Sequence, residues 1–208
     1  MEHGSFCGVC FVSGAGNFAL TAKIPVQMRL PEDIPNAVFA AAGVHRDLSR
    51  TATSSQGPVV WNTEHYQDGT VQKPAVCAFN FDQPRLFRDG SVRDRGLGGN
   101  SFAGPMFCGT IALMLSADPD LLPWDLREII TSKATDIGEK GVDAQTGHGL
   151  INAYRAVKEV LLRKARRDGG DATPYRGRVK GDELDIRSLR DRLRIDAVVV
   201  DRLGPKGQ

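Results

Sequence analysis

The stretch "GGNSFAGPMFCGTIALMLSADP", residues 98–119, decides how the rest of the chain is read. From Phe102 onward its residues are apolar or small with almost no polar face, and Pro105 is expected in the first turn of a helix over 101–116, where its missing N–H costs nothing. A helix apolar on nearly every side belongs in the interior of a domain. Ser101 stands where that helix starts, behind Gly98 and Gly99. A serine there suits two roles. It caps the first turn, or it acts as a nucleophile whose developing charge is stabilised by the free N–H groups and positive dipole end of the helix. The stretch alone leaves both open.

Working outward, residues 7–13, "CGVCFVS", read as a short buried strand that runs into the loop "GAGN" at 14–17. "AVFAAAGV" at 37–44 is the next strand, although its alanines also suit a helix, and "PAVCAF" at 74–79 is another, followed by a charged loop through residue 96. Downstream, "LPWDLREIITSKAT" is an amphipathic helix with Pro123 and Asp125 at its start, and a further helix is expected from about Asn152 to Arg166. Short strands followed by helices place the chain in the α/β class with a largely parallel sheet. The character changes near residue 167, so the expected division is a domain over 1–166 and a polar linker with a short helix and strand over 167–208. Basic and acidic residues interleave in that tail, which reads as a solvated segment.

A formal net charge of +2 gives no grounds for nucleic acid or a membrane surface as partner. No apolar run approaches the roughly 20 residues that span a bilayer. Residues 1–14 have no basic n-region and only a short, broken apolar stretch, so they do not read as a signal peptide. Cys7, Cys10, Cys77 and Cys108 are expected to be small buried hydrophobes, because strand residues three apart face opposite ways and no second C-x-x-C or histidine pair is nearby. No metal ligand set emerges. The compartment stays open.

Several motifs, in order, resemble the subtilisin-like serine proteases. "GNSFAGP" at 99–105 matches the G-T-S-x-A-x-P nucleophile motif and runs into the long apolar helix. "FVSGAGN" at 11–17 matches a strand ending A-G-N, "SSQGP" at 54–58 matches S-S-x-G-P, and "KPAV" at 73–76 matches K-P-D in part. "GHGLINAYRAV" at 147–157 matches the G-x-G-x-hydrophobic-N-A turn. The chain departs from the pattern as well: Asn100 stands for the usual threonine, Ala75 for the aspartate, and "AFN" at 78–80 for A-P-G.

The resemblance implies a subtilisin-like three-layer α/β fold with a mostly parallel sheet, incomplete because its leading strands are absent. It implies serine-type endopeptidase activity on a peptide or protein substrate. Ser101 would be the acyl nucleophile and Asn17 an oxyanion donor, with the backbone N–H of Ser101 as the other. Ser13, Gly14, Ala15 and Gly16 would line the pocket for the side chain preceding the scissile bond, with Arg29 a candidate for its floor. The aspartate and histidine of the family's triad precede the asparagine in chain order, and neither fits ahead of Asn17. His3, on the lead-in to the strand, does not stand in the family's H-G-T-H motif, and His45, His65 and His148 read as loop or turn residues. An upstream segment or a separate chain would therefore supply the missing pair, and the polypeptide alone would be inactive. Structural calcium accompanies the family, but nothing in this sequence supports it, and no cofactor is expected. The alternative is a non-catalytic protein-binding module derived from a decayed or split member.

Overall fold

The computed structural model describes residues 1–19, 38–63, 66–80, 84–94 and 98–172. The chain divides into two units, Met1–Leu161 and Leu162–Gln208. The described part of the second unit contains the end of the last helix and a turn closed by Gly170 N–H donating to the Ala165 carbonyl at 2.8 Å. Arg29, His65 and the expected helix and strand of the tail lie outside the described residues.

The first unit is organised around a parallel sheet in the order β1–β2–β5, formed by β1 (Phe11–Gly14), β2 (Val38–Val44) and β5 (Val76–Phe79). Phe11 lies opposite Val38 and Gly14 opposite Ala41; on the other side Ala41 lies opposite Val76 and Val44 opposite Phe79. Every residue of β2 is buried, as expected for a central parallel strand covered on both faces. A parallel bridge from Cys77 to Leu150 continues the sheet past β5. Among the described residues, β1 forms the opposite edge.

A short helix, α1 (Glu2–Phe6), precedes β1 and packs Gly4 against the Phe11 ring. The apolar run of 98–119 forms α2 (Asn100–Ala117), which lies against β1, β2 and β5. Its buried side carries Ala103, Phe107, Ile111 and Met114, and the Phe107 and Phe39 rings meet at 5.7 Å. Ala15, Ala40, Ala42, Val44, Val59 and Cys77 form a separate buried cluster. Then follow α3 (Pro123–Lys133) and α4 (Ala153–Arg167). Asp125 Oδ2 accepts the Leu122 N–H at 3.0 Å, and Asn152 Oδ1 accepts the Arg155 N–H at 3.0 Å, so each helix start has a carboxylate or amide partner.

Two hairpins were not expected from the sequence: β3 (Val59–Thr63) with β4 (Tyr66–Val71), and β6 (Pro84–Leu86) with β7 (Val92–Asp94), the latter inside the stretch read as a charged loop. Three further expectations need correction. The strand begins at Phe11 rather than Cys7, because residues 7–9 close the short helix in a turn, their N–H groups donating to the His3, Ser5 and Gly4 carbonyls. Helix α2 opens at Asn100, so Pro105 falls in its second turn and cannot donate to the Ser101 carbonyl. Finally, α2 is not buried all round: Met106, Cys108, Gly109, Ala112 and Leu113 are exposed along one side.

Candidate active site

The carboxyl end of β1 and the amino end of α2 meet at one place. Gly99 precedes the helix at φ 144°, a backbone conformation that favours glycine. Having no side chain of its own to cap the helix, it leaves the first N–H groups to other partners. The Asn100 N–H is taken by Asn17 Oδ1 at 2.8 Å, from the loop after β1. An N–H can only be matched by the oxygen of an amide, so the Nδ2 group of Asn17 is turned away from this contact. Asn17 and Ser101 are both exposed, and among the described residues no partner is present for Asn17 Nδ2, the Ser101 N–H or the Ser101 hydroxyl.

The loop and the helix start are held by buried polar groups. Asn100, 1% exposed, donates from Nδ2 to the Gly16 carbonyl at 2.8 Å and to Ser54 Oγ at 3.0 Å, and accepts at Oδ1 from Asn80 Nδ2 at 2.8 Å. Ser54 Oγ also receives the Gly43 N–H at 3.1 Å, and Ser55 Oγ receives the Phe18 N–H at 3.2 Å. The "SSQGP" stretch thus pins the loop that carries Asn17 against the neighbouring strand. Close approach completes the junction: a Cβ on Gly14 would lie 2.3 Å from the Asn100 carbonyl oxygen, and one on Gly104 would lie 3.0 Å from the Gly14 nitrogen.

In front of this junction is a cleft of about 870 Å³. It is lined by Ser13, Gly14, Gly16, Asn17, Asn100 and Ser101 at one end and by Cys10, Val12, Cys108, Gly109 and Ala112 along its length. The structure therefore brings Ser101, Asn17, Ser13, Gly14 and Gly16 together. It separates Ala15, which follows β1, donates its N–H to the Ala41 carbonyl at 2.8 Å and is fully buried in the core cluster.

Among the described residues, neither a histidine nor a carboxylate lines the cleft. His3 sits on α1, its Nε2 3.9 Å from Cys7 Sγ, and His45 follows β2. His148 lies in the turn before Leu150, where burial and the Arg127 guanidinium hold it below the usual histidine range. The cysteines differ from expectation: only Cys77 is buried, while Cys7 and Cys108 are exposed. Burial pushes the Cys10 thiol up to about 11 and that of Cys77 up to about 12, so neither is a thiolate near neutral pH. Among the described residues, no group of acidic, histidine and cysteine side chains could hold a metal ion, and no helix is long and apolar enough to cross a membrane.

The Asn80–Asn100 contact was missed in the sequence. Its only signal was that both residues stand at departures from the motifs, Asn100 for threonine and Asn80 in "AFN".

The model of the subtilase family matches residues 2–149. The autotransporter lipoprotein NalP of Neisseria meningitidis is 39% identical over 155 residues, covering 71% of this chain and 14% of its own length. A calcium-dependent protease of Trichormus variabilis is 26% identical over 176 residues, covering 77% of this chain and 26% of its own. Among solved structures, the prenylagaramide maturation protease PagA aligns with a TM-score of 0.54 at 23% identity, over 74% of this chain and 51% of that one. The fold is thus shared with a subtilisin-like protease, and the chain spans only a part of each of these relatives.

Proposed function

The chain belongs to the subtilase family, and from that membership we propose that it is the part of a serine endopeptidase carrying the nucleophile and the oxyanion donors. Ser101 Oγ attacks the carbonyl carbon of a peptide bond. Its proton passes to a base supplied by polypeptide outside residues 1–208, together with the carboxylate that orients that base. The oxygen of the tetrahedral intermediate takes hydrogen bonds from the Ser101 N–H and Asn17 Nδ2. The amine leaves with the proton held by the base, and water then releases the acyl group from Ser101. Ser13, Gly14 and Gly16 border the space for the side chain preceding the scissile bond.

The observation that carries this reading is the Asn17 amide, fixed through its oxygen at 2.8 Å on the helix start, with its Nδ2 group unpartnered beside an exposed Ser101. The second reading is a protein-binding module on the same half-domain. It is favoured by the exposed apolar side of α2 beside the edge strand β1.

The test is labelling of Ser101 by a fluorophosphonate, with the chain purified alone and co-expressed with the polypeptide encoded immediately upstream. The expected result is labelling only in the second preparation, abolished by Ser101→Ala. Labelling of the chain alone would show that the base lies within residues 1–208. Labelling in neither, with a stable complex formed, would favour the binding module.

A further inference from the structure

We propose that Asn80 and Asn100 form a positioning pair that sets how Asn17 approaches the start of α2, and through it the spacing of the oxyanion donor from Ser101. The inference rests on the reading of Ser101 as nucleophile and Asn17 as oxyanion donor.

The hydrogen bonds run in one direction and leave no freedom in their assignment. The Gly16 carbonyl can only accept, so Asn100 turns its Nδ2 towards it at 2.8 Å. Asn100 Oδ1 must then accept, and Asn80 Nδ2 donates to it at 2.8 Å. Asn80 Oδ1 in turn accepts from Thr51 Oγ1 at 2.5 Å. The main chain of Asn80 is engaged as well: its N–H donates to the Val44 carbonyl at 3.1 Å, and its carbonyl accepts the Gly99 N–H at 3.0 Å. Asn80 therefore grips the helix start at two consecutive residues, Gly99 through the main chain and Asn100 through the side chain. Asn100 passes the constraint to the loop at Gly16 and Asn17.

Strand β2 is shaped for this contact. A Cβ on Gly43 would lie 1.7 Å from Asn80 Nδ2 and 2.2 Å from Asn100 Oδ1. A glycine inside a buried strand weakens it and marks a close approach. Here the approach is by the amide pair itself. The two asparagines also occupy positions where the motifs quoted above carry threonine and glycine, so one departure supplies the partner of the other. Both residues are essentially fully buried, at 0% and 1% exposure. In such a setting removal of one amide leaves the other unsatisfied, which makes the pair act as a unit.

The test uses the 208-residue chain and reads the pair without requiring activity. Backbone amide exchange at Asn100 and the side-chain amide resonances of Asn17 are followed by NMR in Asn80→Asp, which keeps shape but replaces the Nδ2 donor with an acceptor. The expected result is exchange at Asn100 faster by about tenfold and shifted, motionally averaged Asn17 resonances, with the amides around Met114 unchanged. Thr51→Val, which removes only the hydroxyl behind Asn80, gives the same effect in weaker form and serves if Asn80→Asp does not fold. Unchanged Asn100 exchange and Asn17 resonances in a folded variant would overturn the proposal, even if the melting temperature fell. In a preparation that cleaves peptides, the same variants lower kcat with KM nearly constant. Failure to find any cleaving preparation would count against the function proposed above, while the exchange measurement still decides this inference.

Discussion

Asn17 Oδ1 accepts the backbone N–H of Asn100 at 2.8 Å, across 83 positions of sequence. One hydrogen bond thus ties the loop after β1 to the first turn of α2 and determines which end of the Asn17 amide faces the cleft. Its two consequences are separable: the bond contributes to stability, and under the proposed function the Nδ2 group it leaves without a partner among the described residues would serve the substrate.

Replacing Asn17 by alanine removes both. The Asn100 N–H loses its acceptor, a loss of about 1 kcal/mol for a part-exposed neutral bond. In a peptidase-active preparation kcat falls by about 10²–10³, a magnitude known from subtilisin, itself a member of this family. Denaturant titration measures the first and steady-state kinetics the second. A fall in kcat no larger than the stability loss predicts would remove Asn17 from the chemistry.

Gly14→Ala tests the closeness of β1 and α2. The new Cβ would meet the Asn100 carbonyl at 2.3 Å, a backbone contact that no rotamer relieves. The helix start must shift, at a cost of about 1–3 kcal/mol. Thermal unfolding should show a melting temperature lower by several degrees, and labelling of Ser101 in the co-expressed preparation should fall with it. An unchanged melting temperature would mean that the junction is looser than drawn.

These contacts differ sharply in how far the sequence betrayed them. The α2 helix was legible because its apolar residues are dense, and α3 because Pro123 and Asp125 mark its start. Strands β2 and β5 were legible as short apolar runs bounded by turn residues. The hairpin β6–β7 was not, since Arg85, Arg93 and Asp94 give it the composition of a loop and only pairing makes it a strand. The exposed side of α2 was hidden for another reason: Gly109, Ala112 and Leu113 are apolar whether or not anything covers them. Ser101 and Asn17 stood out through family resemblance. The Asn80–Asn100 bond has no periodicity to announce it, because a polar contact between a strand end and a distant helix start follows from the finished fold.

His148 is expected to make stability depend on pH. Burial first, and the Arg127 guanidinium second, hold its folded value below the ordinary 6.5. Above about 6.5 the ring is neutral in both states and contributes nothing. As pH falls below that value the unfolded chain binds a proton that the folded chain resists, so stability is lost progressively until the folded value is passed. Urea midpoints measured from pH 7 downward should fall over this window and should fall less in His148→Gln. An identical slope in the variant would assign the acid sensitivity to other groups.

Thiol labelling reports directly on what covers the cleft. Cys7 and Cys108 are exposed, whereas Cys10 is half-buried with its thiol raised to about 11, and Cys77 is buried and raised to about 12. Alkylation requires thiolate and access together. Iodoacetamide at about pH 8 should therefore modify Cys7 and Cys108 quickly, Cys10 slowly, and Cys77 only on unfolding. Cys108 lines the cleft on α2, but Cys7 does not. The two thus form an internal comparison: under the proposed function, a polypeptide that brings the base beside Ser101 should protect Cys108 while Cys7 keeps its rate. Peptide mass mapping of the alkylated chain, alone and in the co-expressed preparation, measures the ratio. Equal reactivity of Cys108 in a preparation whose Ser101 takes the fluorophosphonate would mean that the completing segment approaches the serine without covering the apolar side of α2.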